Sequence, residues 1–73
     1  MKEVIEVLNE VKSGVDYAKE EHLITDGIIT SFDLVMLIQL LNEKFGINIT
    51  VIDVVPENFE SVKTIEELVN KLK

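Results

Sequence analysis

The sequence has no cysteine and no tryptophan, and its 73 residues include one proline, one histidine and three glycines. Without cysteine, neither a disulfide nor a thiolate metal site can hold the chain together, so a hydrophobic core must do so alone. Hydrophobic residues make up 47% of the chain, which supports such a core and argues against disorder. The length predicts one domain, residues 1–73.

Long apolar runs are also missing. The longest, Leu34–Leu41, is interrupted by Gln39 and is far shorter than the roughly 20 residues that cross a bilayer. The N-terminal segment MKEVIEVLNEV has acidic residues among its apolar ones, unlike the apolar region of a signal peptide. We therefore expect a cytoplasmic protein with no membrane insertion.

Positive charge is scarce. Fourteen acidic residues stand against seven basic ones, which gives a formal net charge of −7. Such a surface is repelled by nucleic acid phosphates and by anionic lipid headgroups, whereas basic protein surfaces attract it. The charge balance argues against a nucleic acid partner, and the default expectation is a monomer.

The residue types that carry catalysis are poorly represented. His22 is the single histidine, and no HExxH, P-loop or GxGxxG motif occurs. The acidic residues are spread along predicted helices rather than set at metal-ligand spacing. We expect no enzyme and no metal site, which leaves a binding or carrier module as the natural class.

Periodicity predicts the first helix from about Lys2 to Ala18, with Gly14 as a residue that could end it early. Its apolar positions are Val4, Ile5, Leu8, Val11 and Val15. The following segment, Lys19–Ile29, has no period but contains the turn signal Asp26-Gly27 and several aliphatic residues. It predicts a long loop that folds back over the core.

The second helix has local signals at both ends. Thr30 and Asp33 match a capping box and Gly46 suits the residue after the helix, which predicts a helix over Ser31–Phe45. The predicted core face consists of Leu34, Ile38, Leu41 and Phe45, flanked by Val35 and Leu37. Met36 and Leu40 fall on the opposite, polar side.

The β-branched run Ile47–Val55 has the composition of a strand. No other segment of the chain could pair with it, and one strand cannot satisfy its own backbone, so we expect an extended loop that buries alternate residues. In particular, we expect burial of Ile47, Ile49, either Val51 or Ile52, and either Val54 or Val55. A short turn at Pro56–Phe59 and a last helix over Ile65–Leu72 follow. That helix is predicted to open with a Thr64–Glu67 capping box, to turn Ile65, Leu68, Val69 and Leu72 inward, and to carry Lys71 and Lys73 at its C-terminal end. The predicted fold is all-α, with three main helices, one short helix and a long first loop.

The order of these features resembles the acyl carrier protein family. The resemblance is carried by the long loop, the segment DGIITSFD, an apolar helix ending in EKFGI, the turn PENF and a short final helix. It extends over nearly the whole chain and is densest from Leu23 to Phe59. The stretches GIITSFDLVMLI and PENFES look closest to the stand-alone D-alanyl and peptidyl carrier branches.

The resemblance implies an acyl-carrier-like bundle in which Ser31 carries 4′-phosphopantetheine as a phosphodiester, which would make the chain a phosphoprotein. The implied partners are a phosphopantetheinyl transferase using Mg²⁺ and coenzyme A, an acyl- or aminoacyl-adenylating ligase and a downstream acyltransferase. The implied function is to hold an acyl or aminoacyl thioester on that arm and present it to these enzymes. A helix N-terminus is also physically suited to a phosphate.

One residue departs from the family pattern. Thr30 stands where the family usually has an aspartate that contributes to transferase recognition. The alternative function is therefore an adaptor with the carrier fold that is never modified, in which Ser31 only begins a helix. We expect partners to dock on the Ser31 end of the second helix by apolar contact with Met36 and Leu40, with Asp33 and Glu43 as the polar rim. The alternative for Leu40 is that the first loop covers it.

Overall fold

The computed structural model describes residues 2–73. Its three α-helices are α1 (Lys2–Val11), α2 (Ser31–Phe45) and α3 (Val62–Leu72), and two short 3-10 turns lie at Val51–Asp53 and Pro56–Asn58. No strand occurs in the part of the chain that is described. The all-α prediction, with three main helices and a long loop after the first, is confirmed. The short turn predicted at Pro56 is present as well.

One cluster of buried side chains joins all three helices and the loops between them. Helix α1 contributes one face, α2 contributes Leu37 and Leu41, and α3 contributes a stripe at helical spacing. The first loop folds back over this core, as predicted, and buries Tyr17, Leu23 and Ile29. The remaining buried residues are Val4, Val7, Leu8, Ile47, Ile49, Phe59, Val62, Ile65, Leu68 and Val69.

Helix α1 is shorter than predicted, because it ends at Val11 rather than at Ala18. Gly14 follows with φ +87°, a left-handed conformation that cannot continue a helix. The buried Tyr17 then turns back, and its hydroxyl donates to the carbonyl oxygens of Leu8, at 3.3 Å, and Lys12. The tyrosine thus satisfies the Lys12 carbonyl group just past the helix end, and it adds a second donor to the Leu8 carbonyl, which already accepts the Lys12 N–H.

Helix α2 has the predicted bounds. Gly46 takes the left-handed conformation, with φ +64°, and donates its N–H to the Asn42 carbonyl. The predicted core face needs one correction: Leu37 and Leu41 are its buried centre, whereas Val35 is 66% exposed. The other predicted members, Leu34, Ile38 and Phe45, pack partly buried against the core.

Helix α3 begins three residues before its predicted start. Ser61 is its N-cap and exchanges hydrogen bonds with Thr64, at 3.2 Å and 3.1 Å, so the predicted Thr64–Glu67 box is wrong. The earlier start also places Val62 in the core.

The segment before α3 contains a further correction. Ile47 and Ile49 are buried as predicted, and Asn42 accepts the Ile49 N–H at 2.9 Å through its side-chain oxygen. That hydrogen bond satisfies backbone that a partner strand would otherwise have to satisfy. The predicted burial further along is wrong, because the four aliphatic residues that follow are all exposed, namely Val51, Ile52, Val54 and Val55.

Candidate functional site at the start of α2

Ser31 is the first residue of α2, and its side chain is exposed. Thr30 caps the helix: its hydroxyl oxygen accepts the Asp33 N–H at 3.2 Å, while its own N–H donates to Asp33 Oδ2 at 3.1 Å. The Thr30 hydroxyl also donates to the same carboxylate at 3.0 Å. This reciprocal capping box, which the sequence predicts, fixes where the helix starts and therefore where Ser31 stands.

The capping arrangement leaves specific donors available beside Ser31. The Asp33 and Leu34 N–H groups are taken by the hydroxyl and the carbonyl oxygen of Thr30. The N–H groups of Ser31 and Phe32 have no acceptor among residues 2–73. Together with the positive end of the helix dipole, these two N–H groups favour an anionic group on or beside Ser31.

Charged side chains near the helix start are few. Hydrogen bonds from the Thr30 backbone and hydroxyl lower the pKa of Asp33, with a smaller contribution from the Lys12 ammonium, so this carboxylate is ionised at neutral pH. Lys12 itself donates to the Ile28 carbonyl oxygen at 3.0 Å. The ammonium group thus ties the end of α1 to the segment that leads into Ser31.

The loop before Ser31 is held by Glu60, a residue that no local sequence pattern indicates. The Glu60 carboxylate accepts the N–H groups of Ile24, at 3.0 Å, and Thr25, at 3.1 Å, and it also accepts the Thr25 hydroxyl. The Glu60 carbonyl oxygen accepts the Leu23 N–H at 2.9 Å. We call this set of contacts the Glu60 clasp. The hydrogen bonds that the carboxylate accepts lower the pKa of Glu60, and those from Thr25 contribute most.

A concavity lies next to Ser31, and Ile24 of the Glu60 clasp is part of its lining. Its volume is about 200 Å³, which is smaller than the roughly 300 Å³ at which enclosing ligand sites begin. It can shelter the atoms nearest the serine but cannot enclose a large cargo. Three of its six lining residues are aliphatic, and the full lining consists of Ile24, Gly27, Ile29, Thr30, Ser31 and Leu34.

The four predicted docking residues follow one another at helical spacing along α2, namely Asp33, Met36, Leu40 and Glu43. Met36, 37% exposed, lies one turn after Asp33 in the first half of α2. Leu40 is half-buried against the core, and with Glu43 it lines a groove of about 270 Å³ beside α1. The groove's other wall is formed by Val7 and Glu10 of α1.

Two exposed apolar residues near Ser31 are absent from the predicted docking set. Phe32 is 76% exposed and Val35 is 66% exposed, one turn apart on α2. Helical spacing placed Val35 at the edge of the core face, and only the packing of α1 and the loop leaves it outside. These two residues and Met36 form an apolar surface that begins beside Ser31.

Among residues 2–73, no group of three or more histidine, aspartate or glutamate side chains could hold a metal ion. None of the described helices combines the length and hydropathy needed to cross a membrane. Comparison with protein-family models, with curated proteins and with solved structures finds no match to this chain.

Proposed function

We propose that this protein is a carrier that holds an acyl or aminoacyl group as a thioester on a 4′-phosphopantetheine arm attached to Ser31. The observation that supports the proposal is the position of Ser31: an exposed hydroxyl on the first residue of a capped, 15-residue helix. The thiol of the arm supplies the thioester chemistry that a chain without cysteine lacks.

The residues around Ser31 have separate roles in this proposal. Ser31 provides the oxygen of the phosphodiester, and the free N–H groups of Ser31 and Phe32 favour the phosphate charge. Thr30 and Asp33 hold the start of the helix, so that the hydroxyl is presented at one fixed position. The concavity beside Ser31 receives the nearest part of the arm, which leaves its far end and cargo accessible to partner enzymes.

The proposed partners are the transferase that modifies Ser31, an adenylating ligase that loads the arm and an acyltransferase that unloads it. For their docking we propose the first half of α2, with Met36 and the exposed Phe32 and Val35 as apolar contacts and Asp33 as a polar rim. Leu40 and Glu43 contribute through the groove beside α1.

A second candidate function, the unmodified adaptor, rests on Thr30. Its side chain both accepts from and donates to Asp33, so this residue has a complete structural role without any modifying enzyme. In this function Ser31 is only the first residue of the helix, and the exposed apolar surface of α2 binds a partner protein directly.

The experiment is intact-protein mass spectrometry before and after incubation with coenzyme A, Mg²⁺ and a broad-specificity phosphopantetheinyl transferase. We expect the addition of one phosphopantetheinyl group, located on Ser31 by fragmentation. Ser31→Ala should abolish the addition, whereas the matched control Ser13→Ala, which changes another exposed serine, should leave it intact.

If the wild-type chain gains no mass, Thr30→Asp separates two outcomes. Restored modification would mean that Ser31 is an attachment site for a specialised transferase. No modification of either protein would overturn the carrier function and favour the adaptor.

A further inference from the structure

Two adjacent aliphatic side chains project from the first 3-10 turn. Val51 is 88% exposed and Ile52 is 87% exposed, the highest values among the large hydrophobic residues of the described chain. Val54 and Val55, just beyond, are exposed as well. Single exposed aliphatic residues are ordinary on protein surfaces, but four within five positions form a concentrated apolar segment of the kind that marks an interaction site.

Hydrogen bonds fix the shape of this segment, which we call the 51–55 segment. The Asp53 carboxylate accepts the Thr50 N–H at 3.1 Å and the Thr50 hydroxyl at 3.2 Å. The Asn58 side chain donates to the Asp53 carbonyl oxygen at 2.8 Å, and Pro56 begins the next turn. A segment ordered in this way loses little conformational entropy when it binds, so its exposed side chains are preorganised.

The charges around the 51–55 segment indicate the kind of partner. No basic residue occurs between Lys44 and Lys63, whereas Asp53 and the exposed Glu57 lie within or beside the segment. A face that combines aliphatic residues with carboxylates fits an apolar recess bordered by basic side chains. A second copy of this chain, with net charge −7, and an anionic membrane both oppose such a face electrostatically.

We propose that the 51–55 segment is a docking surface for a protein whose matching face is an apolar recess bordered by lysine or arginine side chains. The exposed pair Val51 and Ile52 enters the recess, and Glu57 meets the basic border. This proposal does not depend on modification of Ser31, because it rests only on exposure, order and charge in residues 50–58.

The experiment begins with photocrosslinking of the full chain in the cells that make it naturally. The variant Ile52→benzoylphenylalanine should form a crosslinked adduct with one protein. The control is Asn48→benzoylphenylalanine, at an exposed polar position of the same loop, which should not form that adduct. The adducted protein is identified by mass spectrometry, purified and titrated with the unlabelled chain by isothermal calorimetry.

In this titration, Val51→Ser with Ile52→Ser should raise the Kd by about tenfold or more, because two exposed aliphatic side chains lose their burial at the interface. Glu57→Gln should raise the Kd at low salt only, since its contribution is a screened charge contact. Asn48→Ser is the matched control and should leave the Kd unchanged. All three variants should unfold near the wild-type temperature, because the replaced side chains are exposed.

Each of the following results would overturn the proposal. The first is the absence of an adduct specific to position 52, or a Kd that the double substitution leaves unchanged. The second is reversible dimerisation in sedimentation analysis that depends on Val51 and Ile52, which would assign the segment to self-association. The third is binding only to phosphatidylglycerol vesicles, which would assign it to a membrane surface.

Discussion

The capping box before Ser31 gives a sharp prediction for Thr30→Ala. The change removes the hydroxyl that accepts the Asp33 N–H at 3.2 Å and donates to the Asp33 carboxylate at 3.0 Å. The Thr30 backbone N–H keeps its own bond to that carboxylate at 3.1 Å. The first turn of α2 therefore loses its side-chain cap but retains half of the reciprocal box.

The expected cost is about 1 kcal/mol in the free energy of unfolding, the typical value for replacing a threonine N-cap with alanine. The exposed position of Thr30 keeps the cost from being larger, because water can replace part of the lost bonding. For a domain of this size, that loss should lower the Tm by about 4–8 °C. It is also a substantial share of the roughly 5–15 kcal/mol that stabilises a small domain.

The measurement is urea and thermal unfolding followed by far-ultraviolet circular dichroism, with Thr30→Ser as the matched control that keeps the hydroxyl. Thr30→Asp is informative as a third variant. Aspartate can still cap the helix, but its carboxylate would face that of Asp33, where a hydroxyl now donates. Its stability should therefore rise with added salt.

Equal unfolding midpoints for Thr30→Ala and the wild-type chain would refute the assignment of Thr30 as the residue that holds the start of α2. A Thr30→Ser protein as unstable as Thr30→Ala would instead mean that the threonine methyl group matters, rather than its hydrogen bonds.

Three further predictions concern the clasp, the core and a helix end. Because hydrogen bonds lower the pKa of Glu60, its contribution to stability should be full above the ordinary glutamate pKa of about 4.3 and be lost as the pH falls below it. In Glu60→Gln, the urea concentration at the unfolding midpoint should fall less steeply at acid pH than in the wild-type chain. An equally steep fall in both proteins would argue against the clasp. Leu41→Ala, at a side chain with no exposed surface, should cost about 2–5 kcal/mol in urea unfolding, whereas Val35→Ala should cost less than about 0.5 kcal/mol. Equal losses at these two positions would contradict the burial pattern of α2. Gly46→Ala, at φ +64°, should lower the stability by about 1–2 kcal/mol, and a neutral result in calorimetry would show that the helix end relaxes.

Helix α2 could be predicted to the residue because its signals are local. The Thr30–Asp33 box, the apolar period and Gly46 all lie within or directly beside the helix, and none needs a distant part of the chain. For the same reason, the sequence alone predicts Ser31 at the first helical position. Whether its hydroxyl is modified remains a prediction, because helix geometry does not distinguish an attachment site from an ordinary first residue.

The predicted helix ends were wrong where two local signals competed, or where residues distant in sequence determine the end of the helix. Ser61–Thr64 and Thr64–Glu67 both match a capping pattern, and burial of Val62 favours the first. Val15 continues the period of α1, but Gly14 and the hydroxyl of Tyr17 end the helix.

The candidate site was less predictable than the helices. The clasp joins Glu60 to residues 35 and 36 positions away, so no local pattern could indicate it. The exposure of Val51, Ile52 and Val35 likewise depends on which faces the rest of the chain covers. A β-branched run such as Ile47–Val55 contains the same residue types whether it lies inside the fold or outside it.

The Glu60 clasp also has a consequence for the order of events when the chain folds. The clasp must bring together residues separated by 35 positions, and such a non-local pairing should close late in folding. The amide protons of Leu23, Ile24 and Thr25 all donate to Glu60, and that of Ile29 donates to Leu23. These four protons should therefore exchange with solvent together, as one cooperative unit that opens while the helices remain intact. In that partly open form, the first loop is released from Glu60, and Ile24 can move away from the concavity beside Ser31.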